Sequence, residues 1–335
     1  MRIFSPDGIG NAGFQAYEPT FTGGIRVARG DFIGNDGVQE IITSPCCRVA
    51  GVNGTSSRPL VRVFTQQGQL LTQWFAYDQN FTGGVTIASG NVDPRQSSPG
   101  DEIITAPGPG GGPHVRVWRI GAAQPGQSLL PVFEITDAAF MAYDPAMSLG
   151  VNVAVGDVVP EGPNDPAGPR EEIVTVPMAG GGPHVQVQGV AVVNNQPRPY
   201  QFGWMAYQCD AQGCFTGGLN VATGNLDTDN AYEIVTGVGP GGGPHVKSWN
   251  VTNGAGVARG LGFMAYDPAF GGGINVASGN TQGSSATPDE IITGAGVGGG
   301  PHVQQFDANG NNIFGFMAYD INFRGGVWVA FGGGE

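Results

Sequence analysis

Six copies of one short element constrain what this chain can fold into more than any other feature does. An aromatic residue, one further residue, alanine and tyrosine recur along the chain, ending at Tyr17, Tyr77, Tyr143, Tyr207, Tyr266 and Tyr319. After each comes a glycine-led alternating stretch, such as GGVTIASGN at 83–91 or GGINVASGN at 272–280. A variable acidic loop leads to an EIIT-like run that ends at Thr43, Thr105, Thr175, Thr236 or Thr293. A glycine-rich turn and an HVRVW-like run complete the unit, which repeats about every 60 residues.

Each unit reads as four short strands. Val, Ile and aromatic residues alternate in period two, and Gly, Pro, Asn and Asp punctuate them. No window sustains a helical period. Four-stranded units repeated radially are the mark of a β-propeller, whereas a stacked β-solenoid has shorter repeats. The expected fold is all-β, a single propeller over residues 1–335 with about six four-stranded blades. Their approximate bounds are 18–77, 78–143, 144–207, 208–266, 267–319, and a last blade joining 320–335 to 1–17. Residues 1–4 align with Val115–Trp118, a third strand, and 325–333 align with the first strands. That last blade has no EIIT copy. Either the chain is cut from a longer array or another segment fills the slot.

Composition narrows the function. Sixty glycines and 25 prolines accompany 40% hydrophobic residues, which is too apolar for simple disorder. The net charge of −13 leaves no basic surplus to displace the counterions of nucleic acid, so nucleic acid is excluded as a partner. No apolar run approaches the roughly 18 residues of a membrane helix, so membrane insertion is not expected, and MRIFSPDGIG does not read as a signal peptide.

F-x-GG before the first strand, an acidic loop after it and T-G-x-G-x-GGG after the second resemble the FG-GAP repeat of integrin α-subunit-like propellers, in a bacterial variant with the longer GGGPHV segment. The resemblance implies blades whose first loop can hold calcium through D-x-D-x-D-G-x-x-D. In NLDTDNAYE, Asn225, Asp227 and Asp229 take alternate positions, Asn230 replaces the glycine, the Ala231 carbonyl is free to join, and Glu233 closes the series. Oxygen donors at that spacing suit a hard cation. Weaker candidates are Asp31, Asn35, Asp36 and Glu40 in the first loop, and Asn91, Asp93 and Glu102 in the second, which Arg95 interrupts. Calcium at few sites is the only cofactor expected. Elsewhere the recurrent glutamate before I-I/V-T is expected to accept loop N–H groups.

GGGPHV looks like a phosphate cradle, but a Walker loop needs a helix and a Gly-Lys pair, and here a strand follows. All four histidines, His114, His184, His245 and His302, occupy this one position, and the first unit has Leu60 there. The reading is a turn whose histidine locks neighbouring blades by bonding a backbone group, with a ligand contact in each blade as the alternative. Cys209 and Cys214 flank a four-residue loop and are spaced to close a small disulfide turn, with free thiols as the alternative. Cys46 and Cys47 are adjacent, and a bridge between them would be strained.

These features together point to a noncatalytic module, extracellular or at the cell surface, for adhesion or assembly. Its partner is expected to be a protein or a further copy of itself, met through the inserts at 44–59, 120–135, 158–170, 189–200 and 208–214. A propeller lectin, with glycan as the partner, is one alternative. An enzyme is the other, although Asp210, Glu161 and Arg170, which break the periodicity, have nothing near them to complete a site.

Overall fold

The computed structural model describes residues 1–21, 23–46, 57–93, 100–159, 170–193, 196–210, 213–229, 231–284 and 286–331, without the side chains of 11, 191–193, 196, 197 and 210. The chain is an all-β propeller with five four-stranded antiparallel blades, each a meander in strand order one to four. The expected count of about six is corrected by this finding. Among the described residues, the N-terminal residues form only a two-stranded hairpin, Arg2–Phe4 with Gly10–Gly13, and no strand is assigned after Met317.

The blades follow the sequence units closely. Blade 1 comprises Ile25–Gly30, Glu40–Pro45, Leu60–Phe64 and Leu70–Phe75. In blade 2, Val85–Gly90, Glu102–Pro107 and His114–Ile120 are followed by a fourth strand broken into Val132–Glu134 and Phe140–Met141. Blade 3 has Val151–Gly156, Glu172–Pro177, His184–Val193 and Gln196–Met205. Blade 4 has Leu219–Gly224, Glu233–Val238 and His245–Thr252, with a fourth strand split into Ala255–Ala258 and Phe263–Met264. Blade 5 has Ile274–Gly279, Glu290–Ala295, His302–Phe306 and Asn312–Met317.

Every second strand is buried along its whole length. Burial on both faces is why EIIT reads as a continuous apolar run rather than an alternation. The fourth strands alternate and are exposed at their edges.

The chain divides into two compact units, one containing Ile9–Val153 and the other Ala154–Glu335 together with Pro6–Gly8. In the first unit, the Tyr77 hydroxyl at the end of blade 1 donates into blade 2, 2.9 Å from both the Thr105 and the His114 carbonyls. Tyr17 reaches the Thr43 and Leu60 carbonyls of blade 1 at 3.0 and 2.9 Å. Arg62 and Arg116 return the contact, each donating at 2.8 Å to the alanine carbonyl just before that tyrosine. In the second unit, Tyr207 bonds the Thr236 and His245 carbonyls of blade 4, and Tyr266 bonds those of Thr293 and His302 in blade 5. Each tyrosine thus ties the end of one unit to the second and third strands of the next blade. Burial pushes these hydroxyl pKa values up, so the phenols stay neutral donors.

Candidate functional site

In all five blades the glutamate that opens the second strand is buried and accepts N–H groups from the acidic loop. The donors are Phe32 for Glu40 at 2.9 Å, Val92 and Asp93 for Glu102 at 3.0 Å, and Val158 for Glu172 at 2.9 Å. Leu226 and Thr281 serve Glu233 and Glu290, both at 2.7 Å. The carboxylate takes up loop donors that would otherwise be buried without partners. Burial pushes Glu102, Glu172 and Glu233 up to about 7, and the N–H donors only partly offset it.

Beyond this shared clasp the loops differ. In blade 1, Asp31 and Asp36 are turned back onto the loop, accepting the N–H groups of Gly37 and Val38 at 2.8 and 2.9 Å, and Asn35 has a left-handed backbone. In blade 2, Arg119 donates to Asp93 at 2.9 Å and lies 3.6 Å from Glu102. Asp93 and Glu102 belong to no group of three acids close enough to share an ion among the described residues. In blade 5, Asn280 and Glu290 are engaged by Ser284, Thr281 and Gln282.

The blade 4 loop is different. Asp227, Asp229 and Glu233 each bring one oxygen within 4.8 Å of the others, the one such group of acids among the described residues. Asn225 organises the loop instead of facing the acids. Its Oδ1 accepts the Thr228 N–H at 2.6 Å, and its Nδ2 donates to the Asp229 carbonyl at 2.7 Å. Thr228 adopts a left-handed φ of 64°, which turns the backbone between the two aspartates. Asp229 accepts the Ala231 N–H at 2.8 Å.

A guanidinium completes the arrangement. Arg259, from the break in the fourth strand, bonds Asp227 and lies 3.2 Å from Glu233. Burial pushes the Asp227 carboxyl up, but the Arg259 and Asp229 donors outweigh it and leave it below the usual carboxylate range. Three carboxylates and one guanidinium carry a net charge of −2 when all are ionised, the charge a divalent cation would neutralise. All the side-chain donors are hard oxygens, so the set fits calcium or magnesium and not a soft metal.

The histidines lie apart from these acids. Each faces the exposed fourth-strand residue opposite it, as His184 faces Met205. His184, His245 and His302 lie over Gly203, Gly262 and Gly315, where a Cβ would meet Nε2 at 2.9, 2.7 and 3.0 Å. His245 Nε2 is 3.1 Å from the Leu261 carbonyl of its own blade, and its ring meets Tyr207, from the end of blade 3, edge-on at 5.6 Å. In blade 2 His114 faces Met141. Burial lowers the pKa of all four.

Cys209 and Cys214 are joined in a disulfide that closes a two-stranded hairpin, and Cys46 is also disulfide-bonded. Arg170 is buried and donates to the Val190 carbonyl at 3.2 Å. Cys47, Arg95, Glu161 and Asn230 lie outside the described residues, as do parts of four of the five inserts and the Asp210 side chain. Sequence reading missed Arg259 and Arg119. Nothing in the spacing marks a guanidinium 32 residues from Asp227 as its partner.

No family model matches the chain, and no curated protein does. Solved structures do. Rhamnogalacturonan lyase YesW is 12% identical over 96% of this chain and 61% of its own, with a TM-score of 0.42. The exotype rhamnogalacturonan lyase YesX is 12% identical over 93% and 59%, with a TM-score of 0.37. The chain therefore spans about three-fifths of the length of either lyase. The expectation of a noncatalytic adhesion or assembly module is not carried further: the solved structures that match are named as lyases. At this identity and TM-score they assign neither activity nor substrate to this chain. No helix among the described residues is long and apolar enough to cross a membrane.

Proposed function

We propose that this protein is a divalent-cation-binding propeller, with calcium held by the blade 4 loop through Asp227, Asp229 and Glu233. The convergence of three carboxylate oxygens within 4.8 Å on one tight turn carries the reading. The other loops support it, since among the described residues none of them brings three such acids together. Calcium takes six to eight oxygens. Three side chains therefore leave room for backbone carbonyls and water.

Asp227 and Asp229 are the exposed ligands that the ion meets first, and Glu233 is the buried anchor already fixed by Leu226. Arg259 holds Asp227 and Glu233 together until the ion arrives. Calcium bound there would neutralise the charge of the three carboxylates.

Chelator-treated protein melted with calcium titrated back tests this. The midpoint should rise with the logarithm of free calcium above Kd, the folded state gaining about 2.7 kcal/mol at a hundredfold excess, because only the folded loop assembles the site. Asp227→Ala should abolish the rise. A midpoint indifferent to calcium refutes the proposal.

A further inference from the structure

The end of the described chain repeats a relationship found between complete blades. Gly180 N–H donates to the Thr216 carbonyl, and Gly241 N–H to the Gly271 carbonyl, just ahead of the first strands of blades 4 and 5. Gly298 N–H donates to the Arg324 carbonyl in the same way, at 3.0 Å. Asn220 Nδ2 bonds the Ile274 carbonyl, and Asn275 Nδ2 bonds that of Val327, both at 2.7 Å. Thr223 packs on Gly156 and Ser278 on Gly224, and Phe331 lies on Gly279 in the corresponding place. Residues 324–331 therefore sit against blade 5 in the register of a first strand.

What differs is the cover. Each complete first strand in this unit pairs with a second strand, as Ile274↔Ala295 through Gly279↔Glu290 does. No strand among the described residues pairs with 325–331. Val276 and Ala277 are buried, whereas the matching Val329 is half-buried and Ala330 exposed. Phe215 and Phe270 pack under the glycine turns at Gly242 and Gly299, but Phe323 is 42% exposed, and Ile321 and Val297 are exposed at 64% and 63%.

We infer that the edge of residues 325–331 is a strand-accepting surface, and that its occupant is a β-strand with the acid–aliphatic–aliphatic–threonine pattern of this chain's own second strands. All five resident strands of that pattern are wholly buried, so the pattern suits the chemistry of a strand packed on both faces. Backbone hydrogen bonds along the edge give such a strand affinity, and its two aliphatic side chains give specificity. The inference stands independently of the cation site.

A synthetic peptide of residues 288–296, PDEIITGAG, is the probe. It should bind saturably, raise the melting midpoint, and shift the Trp328 emission to the blue, a signal absent from Trp328→Phe. Ala330→Arg changes an exposed side chain and should leave the unliganded midpoint unchanged while weakening peptide binding at least about tenfold. Binding of a scrambled peptide with equal strength, unaltered binding to Ala330→Arg, or no saturable binding at all overturns the inference. Dissociation of a self-associated protein by the peptide would identify the donor as a second copy of this chain.

Discussion

At three of the four histidines, a hydrogen atom in place of a methyl group decides how the ring lies. Gly203 faces His184 with an ordinary negative-φ backbone, and a Cβ there would stand 2.5 Å from the Val185 carbonyl and 2.9 Å from the imidazole. At Gly315 the same contacts open to 3.2 and 3.0 Å. Gly203→Ala should therefore cost about 1–3 kcal/mol of stability and Gly315→Ala clearly less, read from denaturant melts of the two variants. Equal costs would show that the strand simply shifts to make room. Where Leu60 replaces the histidine, Gln73 replaces the glycine, whereas blade 2 keeps His114 with Ala139 at the equivalent place. The sequence shows both residues of each pair, but not that they touch, because the contact is diagonal across a strand pairing whose register only the fold sets. For the same reason Arg259 escaped sequence reading. Its place beside Asp227 depends on a break in the fourth strand, which the four-strand pattern of the repeat does not mark.

At the scale of the element, blades are coupled through a few hydrogen bonds of one kind. Tyr266→Phe would leave the Thr293 and His302 carbonyls short of a donor, at a cost of about 1–3 kcal/mol. Amide exchange should quicken in Glu290–Ala295 while Glu233–Val238 keeps its protection, which separates loss of docking from global destabilisation. The strands themselves were legible, since glycine punctuation and period-two patterning mark all four in every unit. The number of blades was not. GGVWVAFGG reads as a first strand, yet being a strand requires a neighbour, and no second-strand copy follows it. The repeat marks the place of each tyrosine, but the acceptors of Tyr17 and Tyr77 lie 26 to 43 residues away on the next blade, beyond any local pattern.

For the whole molecule, the buried glutamates make stability depend on pH with an unusual sign. Glu172 is pushed up to about 7, first by burial and then by Asp157, against the Tyr200 hydroxyl and the loop N–H groups. Because the native state holds this proton more tightly than the unfolded chain, the contribution is full below about pH 4.5 and is lost as pH rises through 7. The midpoint of Glu172→Gln should fall less than that of the parent between pH 5 and 8, and parallel curves would contradict the assignment. The charge of −13 adds general repulsion that salt relieves, whereas a specific ion acts at one loop. The measurement that separates the two is a calorimetric titration of calcium into chelator-stripped protein at fixed ionic strength. The account predicts one ion per chain, loss of the heat in Asp229→Asn, and tighter binding in Arg259→Ala, whose three acids are no longer held by a guanidinium. The absence of saturable heat, or a heat unchanged by Asp229→Asn, would contradict it.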